Sequence, residues 1–204
     1  MNNTTSAGTK HGNLIQAIKS IVDLPSEQEN NLVELGKEVF LKKGENFIGE
    51  GEVPKKFAFV NRGLFRYYYV DKKGNEFTKG FFEENVFLSS YIAMKEGRES
   101  FFAIEALEDS SLIVFEYSKW KELFNQHNCW SLFLIAVLEK GFTKKETRER
   151  EFLLFDAEER YKLFLENYPG LEQRVKQHMV ASYLGITNVA LSRVRKKMGL
   201  VNVG

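Results

Sequence analysis

The chain reads as an α+β protein: an antiparallel β-roll toward its N-terminus, a long helix after it, and a helix-turn-helix at the end. Three observations carry that reading. Between Glu38 and about Tyr117, short β-branched and aromatic runs are separated by glycine turns. From Trp130 to Phe142, apolar residues recur at helical spacing over a wide surface. From Gln177 to Lys197, two short helices flank Gly185, and the second is basic.

Length and composition allow this much structure. The 204 residues are 43% hydrophobic and 14% aromatic, enough for one large core or two small ones. A single cysteine, Cys129, excludes an internal disulfide. No charged-then-apolar leader is evident, and the longest wholly apolar run, Leu132 to Leu138, falls far short of the ~20 residues that cross a bilayer. A cytoplasmic protein without membrane contact is expected.

Residues 1–12 are Asn, Thr, Ser, Gly and Lys with little to bury, and are expected to form a disordered tail. Leu14, Ile15, Ile18, Ile21 and Val22 then repeat at helical spacing, and Pro25 to Glu29 offers a capping box for a second helix through Leu32 and Leu35. Strands are expected at Val39–Leu41, Phe57–Val60, Leu64–Val70, Glu76–Phe82, Phe101–Leu107 and Leu112–Tyr117. Lys43-Gly44, Asn61-Arg62-Gly63 and Asp71 to Gly74 supply the hairpin turns. Such spacing favours a roll or jelly-roll, and this effector-type domain is placed at 13–126.

A helix over 127–154 follows. Its apolar residues Trp130, Phe133, Leu134, Val137, Leu138 and Phe142 cover more surface than one core-facing stripe requires, so a second copy of the helix is expected to bury the remainder in a twofold homodimer. Asp156 to Glu159 is a further capping box, opening a helix through Tyr161, Phe164 and Leu165 that Tyr168-Pro169-Gly170 ends. It begins a domain over 155–204. There Val180, Leu184, Ile186, Leu191 and Val194 form the buried seam, Ala181 lets the helices cross closely, Gly185 closes the turn and Thr187 takes the N-cap. Val189, Ser192, Arg193 and Lys196 are left facing outward.

Charge agrees with that face. From Gln173 onward there are six Lys or Arg and no Asp or Glu, whereas the whole chain is only +1, so the preceding residues carry −5. A concentrated basic face is what neutralising the phosphates of double-stranded DNA needs. The competing reading is a sensing module that signals through protein contacts, its basic tail incidental.

The order of parts, with Phe155-Asp-Ala-Glu-Glu-Arg-Tyr161 and Val180 to Lys197, resembles the Crp/Fnr family of bacterial transcriptional regulators over almost the whole chain. Glu105-Ala-Leu-Glu-Asp109 is similar to the end of that family's cyclic-nucleotide-binding roll. The resemblance implies a homodimer on a near-palindromic operator, a winged-helix domain with a small wing, and regulation of nearby genes. It also admits RNA polymerase as a contact. It assigns base reading to Arg193, polar contacts near the helix start to Asn188, Thr187, Ser192 and Gln177, and phosphate contacts to Arg174, Arg195 and Lys196. Val189 departs from the pattern, because many relatives carry a base-contacting glutamate there. A valine can touch a thymine methyl but cannot accept from cytosine N4.

The effector pocket implied by the resemblance is Ser89, Ser90, Arg98, Glu99 and Ser100. Leu88 and Ser89 align with the glycine and glutamate that hold the ribose in cyclic-AMP-responsive relatives. Glu99 aligns with the arginine that holds the phosphate, and Arg98 lies one position away. A carboxylate facing a cyclic phosphate repels it, so an effector other than cyclic AMP, or none, is expected. One cysteine is too few for an iron-sulfur cluster. The histidines, His11, His127 and His178, lie outside the roll, which argues against an enzyme with a cupin-like metal site and against any metal or other cofactor. His127 reads as a surface or capping residue rather than a haem ligand, and Cys129 as a small buried hydrophobe.

Overall fold

The computed structural model describes residues 11–200. Of the expected tail, residues 1–10 lie outside the described residues, while Gly12 already opens a helix. Along the chain, α1 (Gly12–Lys19) and α2 (Ser26–Leu35) precede β1 (Lys37–Leu41), β2 (Asn46–Ile48), β3 (Lys56–Arg62), β4 (Phe65–Val70), β5 (Glu76–Phe82) and β6 (Phe87–Leu88). Then come α3 (Tyr91–Glu96), β7 (Ala103–Ala106), β8 (Ser110–Glu116), α4 (Tyr117–Leu123) and the long α5 (Cys129–Leu154). The last helices are α6 (Ala157–Asn167), α7 (Leu171–Arg174), α8 (Gln177–Leu184) and α9 (Asn188–Lys197). Two compact units result, one of residues up to 69 with 81–139, the other of 70–80 with residues from 140 onward.

The strands form two four-stranded sheets, ordered β1-β8-β3-β6 and β2-β7-β4-β5. Pairing within them is antiparallel, with Phe57 opposite Phe115 and Phe59 opposite Ile113 between β3 and β8. Alternation along a strand then sorts the side chains into two cores. Ala58, Val60 and Leu112 join Phe65, Tyr67 and Ile104 in one. Phe57, Phe59, Ile113 and Phe115 join Leu14, Ile18, Leu32, Trp120 and Trp130 in the other, where the helices cover the sheet. Each large apolar side chain so buried stabilises the fold by about 1.5–3 kcal/mol relative to exposure. Trp130 keeps its polar edge satisfied by donating from Nε1 to Gln28 Oε1 at 2.8 Å. The turn before β4 requires glycine: Gly63 has φ +122°, and a Cβ there would lie 2.0 Å from Ser110 Oγ.

Several local expectations need correction. The capping box at Pro25 to Glu29 does not form, because Pro25 itself is the extended N-cap and Ser26 is already helical, so no side chain caps α2. The last strand ends at Glu116, and Tyr117 begins α4, which the apolar run had absorbed. Strands β2 and β6 span three and two residues, too short for alternation to reveal. On α5, Trp130 and Phe133 are not available to a second subunit. They lie 0% and 3% exposed in the helix-side core, with Val137 packed against it.

In the second unit, Asp156 caps α6 as the spacing predicts, its Oδ1 accepting from the backbone nitrogens of Glu158 at 2.8 Å and Glu159 at 2.9 Å. Glu159 answers by accepting from the Asp156 backbone nitrogen at 2.8 Å. Tyr161, Phe164, Tyr168 and Tyr183 form a chain of ring contacts that joins α6 to α8.

Candidate nucleic-acid interface

The helix-turn-helix, the candidate reading head, is built from α8, the turn and α9. Val180, Ala181, Leu184 and Leu191 are buried between the helices, Ile186 and Val194 partly so. Helix α8 ends at Gly185 in the left-handed region, φ +68°, where Gly185 N donates to Ser182 O and Ile186 N to Ala181 O. Thr187 then caps α9, its Oγ1 accepting from Ala190 N at 3.1 Å. Such a cap contributes roughly 1 kcal/mol. It also fixes the direction in which α9 leaves the turn.

That direction sets which residues face outward. Thr187, Asn188, Val189, Ser192, Arg193 and Lys196 are exposed, with Val189 at 61%. No hydrogen bond or ion pair within the described residues holds the Arg193 guanidinium. Gln177 and His178 are exposed at the start of α8. Two other cations of α9 are turned back onto the domain. Arg195 has a side chain only 16% exposed, with Nη2 3.9 Å from Glu172 Oε1, and Glu172 also accepts from the Tyr161 hydroxyl at 2.6 Å. Lys197 Nζ lies 2.5 Å from Glu158 Oε2. Arg174, in the short α7, is partly buried. The outward cationic edge of α9 is therefore Arg193 with Lys196, and Arg195 contributes to anchoring the helix. Sequence spacing could not separate the two, since Glu172 lies far away in the chain.

The effector residues of the roll converge only in part. Ser90 and Ser100 are buried and joined, Oγ to Oγ, at 2.9 Å, and Ser100 Oγ also donates to Phe102 O at 2.7 Å. Arg98 points elsewhere, with Nε 2.5 Å from Glu96 Oε2 and its guanidinium 4.7 Å above the exposed Phe101 ring. Glu99 is exposed. The Tyr67 hydroxyl accepts from Ser89 N at 2.8 Å, and its ring is 4.1 Å from Phe82 and 5.1 Å from Phe102, centroid to centroid. Burial pushes the Tyr67 phenol well above its ordinary pKa, so it stays a neutral donor. Tyr67 was legible in the sequence only as strand.

On α5, the face opposite Phe133 exposes Leu132 (51%), Ile135 (52%), Leu138 and Phe142 (66%). Leu134 and Val137 are partly buried. Of the expected dimer residues, Leu138 and Phe142 are thus on the open face, joined by Leu132 and Ile135, which the reading of a broad apolar surface had not singled out. His127 Nδ1 accepts from the Cys129 backbone nitrogen at 3.1 Å, a cap on the first turn of α5, and Cys129 is buried. Among the described residues, no three His, Cys, Asp or Glu side chains group as metal ligands, and no helix is long and apolar enough to cross a membrane.

No match is found among curated proteins. Among solved structures, the chain is similar to the c-di-GMP-responsive global regulator CLP of Xanthomonas campestris, with TM-score 0.72 and 15% identity over 88% of this chain and 96% of that one. It is similar to FixK2 of Bradyrhizobium japonicum, with TM-score 0.69 and 18% identity over 83% and 88% of the two chains. For the catabolite activator protein of Thermus thermophilus the TM-score is 0.54 and the identity 19%, over 88% and 87%. Residues 38–127 match the cyclic nucleotide-binding domain model. The roll is therefore similar to cyclic nucleotide-binding domains, and the chain shares the α+β fold of these Crp/Fnr-type transcriptional regulators.

Proposed function

We propose that this protein is a cytoplasmic, sequence-specific DNA-binding transcriptional regulator that acts as a homodimer on a near-palindromic operator. The observation that carries the reading is the outward face of α9, where Arg193 and Lys196 project beside Asn188, Val189 and Ser192 while the opposite face is buried. A helix held this way can enter the major groove. Arg193 would pair bidentately with guanine O6 and N7, worth about 1–3 kcal/mol of discrimination, and Val189 would touch a thymine methyl. Lys196, with Gln177, Thr187 and Arg174 nearby in sequence or on the turn, would hold phosphates and set register.

Pairing follows from the second open surface. The stripe Leu132, Ile135, Leu138 and Phe142 is apolar and exposed on a helix whose other side is already packed, and a copy of itself about a twofold axis would cover it. Two α9 helices would then meet successive major grooves about 34 Å apart. The roll would act without cyclic AMP, given where Tyr67, Arg98 and Glu99 lie.

Selection of bound duplexes from a random pool, followed by salt titration of the winner, tests the proposal. Expected are a near-palindromic site and a steep linear fall of log affinity with log salt. A flat salt response with no enriched sequence would favour a module that signals through protein contacts.

A further inference from the structure

Helix α5 and the reading head meet at a small joint within the second unit. Arg148, on α5, donates from Nη2 to the carbonyl oxygen of Tyr183 in the last turn of α8. That carbonyl lies in the last turn, where side chains from elsewhere can supply donors that the helix itself does not. Gly185 N and Ile186 N already satisfy Ser182 O and Ala181 O, so Arg148 supplies the next bond in the cap. The same guanidinium lies 3.6 Å from the centroid of the Tyr183 ring and 4.6 Å from that of Phe152, one turn further along α5. Phe152 in turn rests on Gly185: a Cβ at that glycine would come within 2.6 Å of Phe152 Cε1. Arg160 of α6 lies over the same ring at 5.0 Å.

We propose that Arg148 is a positioning residue that locks the helix-turn-helix turn onto α5 and thereby fixes the half-site separation that the dimer accepts. The inference rests on the proposed DNA-binding dimer and adds its metric. Thr187 and Asn188 start α9 immediately after the clamped turn, so rotation at Gly185 redirects the whole recognition helix. The clamp opposes that rotation in two ways. A charge-assisted hydrogen bond fixes the end of α8, and a planar cation held between two rings resists tilting in a way that a point charge cannot. Phe142, on α5 within the same unit, belongs to the exposed face along which two copies would pair, so the orientation set at the clamp is referred to that face.

The test is a panel of duplexes carrying the selected half-sites at separations changed by one base pair at a time, each step turning one half-site by about 35° relative to the other. Wild-type protein is expected to prefer one separation sharply. Arg148→Ala and Phe152→Ala are expected to reduce that preference about tenfold, on the scale of one charged hydrogen bond, while the half-site base preference is retained. Arg148→Lys keeps the charge and the fold but not the planar stack, and is expected to behave like Arg148→Ala. A loss of affinity equal at all separations in Arg148→Lys, or a separation preference as sharp as that of the wild type, would overturn the proposal. Absence of any sequence-specific binding by the wild type would instead overturn the DNA-binding reading itself.

Discussion

The Tyr67 hydroxyl lies 2.8 Å from the backbone nitrogen of Ser89, joining the middle of β4 to the segment just after β6. A side chain of the protein has thus taken the Ser89 backbone donor. Phe102 stacks on the Tyr67 ring and Phe82 lies tilted against it, so the phenol is held within the inner core with its own hydrogen bond. Cyclic AMP is therefore expected to leave the unfolding temperature unchanged and to give no heat in calorimetric titration. Tyr67→Phe should cost about 0.5–1.5 kcal/mol, the ordinary net value of one hydrogen bond. A saturable rise in unfolding temperature with cyclic AMP would contradict this account.

Arg193 and Lys196 share the exposed face of α9 yet should fail differently when truncated. Arg193→Ala is expected to lose about 1–3 kcal/mol at the selected site and to relax the preference at one base pair per half-site. Lys196→Ala should weaken all duplexes alike and lower the log–log salt slope by about one per replaced phosphate contact. Arg195→Ala, which breaks an approach to Glu172 rather than exposing a free cation, should appear first as lower thermal stability. Anisotropy titrations at several salt concentrations separate the three.

The α5 helix makes a parallel distinction. Ile135 is half exposed on the open face, and Phe133 is 3% exposed in the core beside Trp120 and Phe87. Ile135→Glu should yield a folded monomer by sedimentation, because the charge is desolvated only when two copies pair. Phe133→Ala should lower stability by about 3–5 kcal/mol through the cavity it leaves. If Ile135→Glu remains a dimer, the pairing face lies elsewhere.

These contrasts mark where sequence was informative. Gly185, Thr187 and the Asp156 capping box are local devices whose partners lie within a few residues, so spacing alone revealed them. The burial of Trp130 and Phe133 depended on β3, β6 and α4 packing from other parts of the chain, and an amphipathic pattern cannot say which apolar face is claimed first. The inward turn of Arg195 toward Glu172, and the bond between the Tyr67 hydroxyl and Ser89 N, are likewise products of tertiary neighbours. Glu99 stands at the implied phosphate position in sequence and Arg98 beside it, but Glu99 is exposed and Arg98 turns to Glu96 and Phe101.

Glu158 supplies a pH-dependent restraint on the end of α9. Its carboxylate accepts from Lys162 at 2.9 Å and lies 2.5 Å from Lys197 Nζ, and the bonds from Lys197 and then Lys162 hold its pKa down, from 4.5 to about 2. Because the folded value is depressed, the stabilisation is complete above the unfolded pKa near 4.5 and is lost as pH falls toward about 2. The same contact raises the Lys197 pKa, so a second loss is expected only as alkaline pH rises through the raised value. Lys197 is exposed and Glu158 partly so, and salt should weaken the effect. Denaturant unfolding followed from pH 6 down to pH 2 should therefore show a stability loss over that acid window that is smaller in Glu158→Gln and smaller again at high ionic strength. If Glu158→Gln and wild type run parallel through the window, Glu158 does not anchor α9 and the helix is held by its buried face alone.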